Sequence, residues 1–89
     1  AAMTMPATIE EQCHNTLATI AKALEEAGSG LDHVVRVTYI VPDPDEWPAC
    51  WPITSAAFAI ARPAATMISA RLQNSEMKIE IEVTARLPA

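Results

Sequence analysis

The chain has 89 residues and a formal net charge of −5, and its six basic residues are spread along the sequence. Because nucleic-acid binding requires grouped lysines and arginines that neutralise phosphates, this pattern disfavours a nucleic-acid partner. No apolar run is long enough to span a bilayer, and no signal-peptide pattern is present. We therefore expect one small domain over residues 1–89, located in the cytoplasm and without a membrane partner.

The composition favours association between copies. Hydrophobic residues make up 51% of the chain but include only two Trp, one Tyr and one Phe, so the core must consist mainly of small side chains. Buried apolar surface stabilises by about 25 cal/mol per Å², and a chain this short with few large side chains is expected to gain stability by oligomerising. Cys13 and Cys50 lack metal-ligand spacing, which predicts reduced thiols and no metal site.

The first predicted element is a helix that ends near Ala27. Thr8 and Glu11 have the spacing of a capping box, in which each side chain can accept a hydrogen bond from the other residue's backbone N–H. The apolar stripe that follows has spacings of three and four and consists of Ile9, Cys13, Leu17, Ile20 and Leu24. Gly28 is expected to terminate the helix, because glycine tolerates the left-handed conformation.

A strand is predicted from Leu31 to Val41, because β-branched residues dominate this segment. One face of the strand consists of Val35, Val37, Tyr39 and Val41, and the other of Arg36, Thr38 and Ile40.

A second helix is predicted from Glu46 to about Ala61, with Asp45 as its N-cap. Pro48 falls in the first turn, where a missing N–H is harmless. Pro52 would remove one intrahelical hydrogen bond, so the first turns are expected to be irregular.

Two further strands complete the predicted fold. Ala64 to Leu72 is weakly amphipathic, and apolar and polar residues alternate from Lys78 to Arg86. A period of two is typical of a half-buried strand, since successive side chains point to opposite faces. The order helix, strand, helix, strand, strand predicts an α+β domain with two helices on one face of a sheet. Sheet edges and one sheet face would remain uncovered in an isolated chain.

Ordered segments of the chain are similar to a known family. They are Leu24 to Gly28, Leu31 with Val34 to Thr38, Arg62-Pro63-Ala64 with Thr66, and Lys78 to Ala85. On these motifs the chain, from Glu11 onward, resembles the reactive-intermediate deaminase (Rid, or YjgF-type) family. The resemblance implies a chorismate-mutase-like fold and homotrimers with small-molecule clefts between neighbouring subunits. It also implies hydrolysis of reactive enamines and imines to ammonia and a 2-keto acid without a cofactor. Older names in the family refer to endoribonuclease activity or inhibition of translation.

Two departures from the family pattern affect this expectation. The family domain opens with strands before the first helix, whereas this chain begins close to that helix. Part of the sheet and one wall of the cleft are therefore expected either to be absent or to lie outside this sequence. The deaminating branch also has a Pro-Ala-Arg-Ser/Thr motif, which here reads Pro63-Ala64-Ala65-Thr66. An arginine can grip a substrate carboxylate with two parallel hydrogen bonds, but Ala65 has no side-chain donor.

Glu80 falls where the resemblance places a carboxylate at the cleft, and it is the candidate catalytic residue. Hydrolysis of a C=N bond needs a water delivered to the electrophilic carbon, and a carboxylate can orient or deprotonate that water. The alternative is a solvated Glu80 paired with Lys78 or Arg86, since glutamates are mostly exposed. Glu82 shares the same face and is interpreted as solvated or ion-paired.

Four other residues are candidate substrate contacts. Thr66 can offer a hydroxyl or a backbone N–H, or it can simply favour the strand. Ala65 marks the position of the absent arginine, and Arg71 lies six residues further on the same strand face, about 20 Å away at about 3.3 Å per residue. Cys50 can face a ligand from the second helix, although a buried structural cysteine is the more common outcome.

These observations leave two hypotheses from different classes. The first is an imine or enamine deaminase-like hydrolase, with an intersubunit cleft lined by Glu80, Thr66 and Arg71 and an activity limited by Ala65. The second is a non-catalytic metabolite-binding or regulatory module that uses the same cleft. The net negative charge of the chain and its scattered basic residues disfavour an endoribonuclease.

Overall fold

The computed structural model describes residues 6–88 and shows two helices packed on one face of a three-stranded sheet. The elements are α1 (Ile9–Glu26), β1 (Val34–Ile40), α2 (Trp51–Ala57), β2 (Ala64–Ile68) and β3 (Glu80–Ala85). The sheet order is β2-β1-β3, with β1 parallel to β2 and antiparallel to β3. The predicted order of elements and the placement of both helices on one sheet face are confirmed.

Helix α1 begins and ends where the sequence predicts. The Thr8 hydroxyl oxygen accepts a hydrogen bond from the Glu11 backbone N–H at 3.2 Å. At the other end, Gly28 has a φ of 86°, and the Ser29 N–H donates to the Leu24 carbonyl at 2.7 Å. This geometry is a Schellman motif, which satisfies carbonyls that the last turn leaves without intrahelical donors.

Strand β1 starts later than predicted and contains an irregularity. Leu31–His33 is a 3₁₀ turn rather than strand, and the register shifts between Val34 and Arg36, as in a β-bulge. A bulge adds one residue to the strand. The side chains before the bulge therefore point to the opposite sheet face from the one that strict alternation predicts. The prediction that Val35 shares a face with Val37, Tyr39 and Val41 is therefore wrong: Val34 is 2% exposed and Val35 is 48% exposed.

The second helix is shorter than predicted. A 3₁₀ segment covers Pro44–Cys50, and α-helix follows only over Trp51–Ala57. The prediction that Asp45 caps the helix is wrong, because the Asp43 carboxylate accepts from the Asp45 backbone N–H at 3.0 Å. The irregular first turns are confirmed. Pro52 lies in the first turn of α2, where its missing N–H removes no hydrogen bond.

Strands β2 and β3 differ in how far they are covered. All five residues of β2 are exposed, and the strand ends at Ile68 rather than at Leu72 as predicted. In β3 the predicted alternation is confirmed, since Ile81 is buried while Glu80 and Glu82 are exposed. The buried core lies between the sheet and the helices and consists of Ile9, Cys13, Leu17, Val34, Val37, Tyr39, Val41, Cys50, Phe58, Ile79 and Ile81.

Candidate functional site

The sheet face opposite the helices, here called the open face, carries most of the polar side chains of the strands. Its residues alternate with the buried Val37 and Tyr39 and their strand partners. They are Arg36, Thr38, Ile40, Ala64, Thr66, Ile68, Glu80, Glu82 and Thr84. In the described part of the chain no helix covers this face, so it is available to a ligand or to a second copy.

Glu80 lies at one end of the open face, as the first residue of β3. Its partner in the register is Ile40, whose partner on β2 is Ile68. Glu80 is exposed, and Ile68 is 46% exposed. The carboxylate therefore stands at the end of a row that otherwise consists of two aliphatic side chains.

Thr66 lies on the same face as Glu80 but one row away. Its partner is Thr38, which in turn faces Glu82 on β3. With strands about 4.8 Å apart and a rise of about 3.3 Å per residue, the Thr66 and Glu80 backbones are about 12 Å apart. A small ligand can therefore touch both residues only if it lies across the central strand.

Ala65 lies on the opposite face of the sheet from Glu80. Its register partner is Val37, which points into the core under the helices. Because directly paired residues share a face, Ala65 and Glu80 of one chain cannot line the same cleft across the sheet. A cleft that contains both residues requires two copies of the chain.

Arg71 lies outside any strand, since β2 ends at Ile68. The prediction that it shares a strand face with Ala65 is therefore wrong. Arg71 instead lines a surface depression of about 460 Å³ in the segment that follows β2. Pro42, which follows the Ile40 end of β1, forms another wall of this depression. The depression thus lies at the same end of the sheet as Glu80.

Cys50 is fully buried, at 0% exposure, as is Cys13 on α1. Burial raises the pKa of the Cys50 thiol to about 12, and the neighbouring Cys13 adds to this rise. Burial likewise raises the pKa of Cys13. A neutral thiol in the core packs as a small apolar side chain, and this placement favours the structural interpretation of Cys50 over a ligand contact.

We expect stability to fall at alkaline pH because of these buried groups. Burial raises the pKa of Cys50 from 9.0 and that of Tyr39 from 10.0, each to about 12. The unfolded chain therefore loses these protons at lower pH than the folded chain. Their stabilising contribution is complete below pH 9.0 and is lost as the pH rises toward about 12. Urea midpoints at about pH 8 and about pH 10.5 measure this effect, and equal midpoints would contradict it.

Gln12 connects α1 to the segment that leads into β3, and its role was missed by the sequence analysis. It is only 4% exposed. Its amide donates to the Pro6 carbonyl at 2.8 Å and to the Glu76 carbonyl at 2.9 Å, and its Oε1 accepts from the Lys78 N–H at 2.8 Å. Gln12 thereby fixes the backbone two residues before Glu80. The signal in the sequence is a polar residue directly beside the apolar stripe of α1.

Lys78 contacts a different acid from the one considered in the sequence analysis. Its ammonium lies 3.6 Å from a carboxylate oxygen of Glu46, and both side chains are about one third exposed. Exposed pairs of this kind stabilise by about 0–1 kcal/mol. Among residues 6–88 the structure shows no salt bridge to Glu80, so its carboxylate is available to a ligand or a water.

No group of three His, Cys, Asp or Glu side chains within residues 6–88 is arranged to hold a metal ion. Neither α1 nor any other helix in this range has the length and apolarity needed to cross a bilayer.

A three-stranded mixed sheet with two helices on one face and an acidic residue at the start of its last strand defines a small α+β protein. Its close similarity to solved structures of the YjgF family assigns it the chorismate-mutase-like fold. Residues 1–87 match the family described as Endoribonuclease L-PSP. The chain belongs to this family, which includes the YjgF-type and Rid proteins.

Individual relatives agree with this assignment. Protein mmf2, mitochondrial, of Schizosaccharomyces pombe is 33% identical over 84 residues, which cover 91% of this chain and 67% of that protein. A member of the YjgF/YER057c/UK114 family from Mycobacterium tuberculosis has 30% identity and a TM-score of 0.88, with 92% of this chain and 70% of that chain covered. A YjgF family member from Neisseria meningitidis has 30% identity and a TM-score of 0.89, with coverages of 94% and 71%. The chain thus spans about two thirds of the length of these relatives.

Proposed function

We propose that the chain hydrolyses C=N bonds of small 2-imino or enamine acids, in a cleft formed between neighbouring copies of a homotrimer. The observation that carries this proposal is Glu80, an exposed carboxylate at the end of the open face and without a salt bridge in residues 6–88. Family membership supports a small-molecule cleft at this position.

The chemistry assigned to Glu80 is the activation of water. The carboxylate takes a proton from the water as the water oxygen bonds to the imine carbon. It then returns the proton to nitrogen, which gives a neutral carbinolamine. Transfer of the carbinolamine hydroxyl proton to the amino group breaks the C–N bond, releases ammonia and leaves a 2-oxo acid. No electrons are transferred in these steps, so the reaction needs no redox cofactor.

Assembly of several copies is supported by the uncovered surfaces of the sheet. All of β2 is exposed and β2 lies at a sheet edge, and such an edge is a ready site for pairing or packing with another chain. Because Ala65 and Glu80 point to opposite faces, contact between copies is also what would bring both into one cleft.

Ala65 limits the proposed activity, because its methyl group cannot hold a substrate carboxylate. Hydrogen bonds between a guanidinium and a carboxylate are strong and directional. We expect Ala65→Arg to raise kcat/KM for a 2-imino acid by about tenfold, which corresponds to about 1.4 kcal/mol. Ala64→Arg, one residue away and on the other sheet face, is the matched control. An equal gain in both variants would mean that added positive charge alone is responsible.

The proposal is tested by ammonia release from freshly generated 2-aminoacrylate. We expect the purified chain to release ammonia faster than buffer does and to form pyruvate in equal amount. A rate equal to that in buffer, with protein that is folded by circular dichroism, would contradict the proposal.

A non-catalytic metabolite-binding module is the second candidate, and the observation that favours it is the methyl group of Ala65. Under this function the chain binds a small 2-oxo acid but releases no ammonia from 2-aminoacrylate. Isothermal titration with 2-oxobutyrate, performed beside the ammonia assay, separates the two functions.

RNA cleavage is named in the family description, but the charge of this chain does not support it. The net charge is −5, and RNA binding requires grouped cations that neutralise phosphates. Cleavage of RNA by protein freed of contaminating nuclease, and its loss in Glu80→Ala, would reverse this view.

The cellular location that we propose is the cytoplasm. Cys13 and Cys50 are both free thiols, which fits a reducing compartment. The relative from Schizosaccharomyces pombe is named as mitochondrial, and fluorescence imaging of the tagged full-length protein distinguishes the two locations.

A further inference from the structure

We infer that the depression around Arg71, here called the Arg71 depression, binds the carboxylate of a small 2-oxo or 2-imino acid. Only the identity of this acid as a substrate depends on the proposed function, because binding itself requires no turnover. The depression has a volume of about 460 Å³, which falls within the range of about 300–1,000 Å³ that is usual for small-molecule sites.

The walls of the Arg71 depression are suited to an acid with a short apolar tail. The polar walls are Arg71, Gln73, Asn74 and Ser75, and the less polar walls are Pro42, Leu72 and Met77. A guanidinium presents a planar fork of donors that matches a carboxylate. The apolar residues beside it can contact a chain of two or three carbons.

The guanidinium of Arg71 is not engaged by an acid of its own chain in residues 6–88. The salt bridge in this part of the structure joins Lys78 to Glu46, and the hydrogen bonds shown there do not involve the Arg71 side chain. Its donors are therefore available to an external carboxylate without the loss of an existing ion pair.

The segment that forms the depression is fixed by hydrogen bonds. The Ser69 hydroxyl donates to the Pro42 carbonyl at 3.3 Å. The side-chain oxygen of Asn74 accepts from the N–H groups of Glu76 and Met77 at 2.9 and 3.1 Å. Because the Asn74 oxygen is engaged in this way, its NH₂ group remains as a donor. A wall that is ordered in advance lowers the entropy cost of binding.

The position of the depression relates it to Glu80. The residues Ile40, Ile68 and Glu80 form one row across the sheet. Pro42 follows β1 beyond this row, and the segment with Arg71 follows β2 beyond it. The Arg71 depression and Glu80 therefore lie at the same end of the sheet. Arg71 is the cation that the depression offers to a carboxylate at this end.

The inference is tested by titrating the full chain with 2-oxobutyrate and following amide chemical shifts by NMR. We expect shifts centred on residues 71–77, a dissociation constant raised about tenfold or more in Arg71→Gln, and an intermediate value in Arg71→Lys. Arg86→Gln, which removes a charge at the other end of β3, should change the constant less than about twofold. Neutral 2-butanone should not bind. If inorganic phosphate binds as tightly as 2-oxobutyrate, the site does not select carboxylates and the inference is wrong.

The outcomes separate this inference from the proposed function. If no ammonia is released but binding depends on Arg71, the hydrolase is wrong and the binding site stands. If ammonia is released and Arg71→Gln changes neither the dissociation constant nor KM, the binding site is wrong and the hydrolase stands. Dispersed amide spectra show that each variant is folded, so an unchanged constant is a direct contradiction.

Discussion

Replacing Glu80 by Gln is expected to lower kcat/KM for ammonia release by about 100-fold or more, because general acid–base catalysis contributes about 10²–10⁴-fold. The amide has nearly the shape of the carboxylate but cannot accept the proton of the attacking water. The reduction should appear mainly in kcat, since the proposed mechanism has Glu80 act on the water rather than on the substrate carboxylate. Initial rates at several concentrations of 2-aminoacrylate separate kcat from KM.

Glu82→Gln is the matched control for this variant. Glu82 is exposed on the same face of β3, two residues from Glu80, so both changes remove one negative charge from the open face. We expect Glu82→Gln to retain activity within about twofold, as is usual for a surface charge. Equal losses in the two variants would assign the effect to the charge of the face and not to catalysis by Glu80.

Replacing Gln12 by Ala is expected to lower the free energy of unfolding by about 3 kcal/mol. The variant loses three partly buried hydrogen bonds, each of which contributes about 1 kcal/mol, and their backbone partners lose this contact. These partners are the carbonyls of Pro6 and Glu76 and the N–H of Lys78. Urea unfolding followed by circular dichroism measures the change.

Asn15→Ala provides the comparison for Gln12→Ala, because Asn15 is an exposed polar residue on the same helix. A surface substitution of this kind should change stability by about 0.5 kcal/mol or less. If both variants unfold at the same urea concentration, Gln12 does not connect α1 to the start of β3 in solution. A reduced kcat in the folded Gln12 variant, with an unchanged pH profile, would show that Gln12 also positions Glu80.

The elements that the sequence predicted well are those with a strong local signal. Helix α1 has a cap at Thr8, a regular apolar stripe and a terminating Gly28, and strand β3 alternates strictly from Ile79 onward. The bulge near Val34 was not predictable, because Val34 and Val35 are chemically identical and only the pairing register decides which one is buried. The second helix was predicted to be too long, because the apolar residues of this segment continue past Ala57 into a turn.

The candidate site was predictable in part. The exposure of Glu80 follows from the alternation of β3, which is a local property of the sequence. That Ala65 lies on the opposite sheet face from Glu80 depends on the register between β1 and β2, which no single segment encodes. The burial of Cys50 likewise depends on how the 3₁₀ segment packs against α1, and so it emerged only from the tertiary structure.

Ala65 and Glu80, which lie on opposite faces of one sheet, are proposed to meet in a cleft between copies of the chain. Light scattering coupled to size-exclusion chromatography measures the molar mass of the assembly in solution. We expect a mass three times that of the chain, with ammonia release in the same fraction. A mass equal to one chain over the micromolar range, with activity retained, would contradict this proposal.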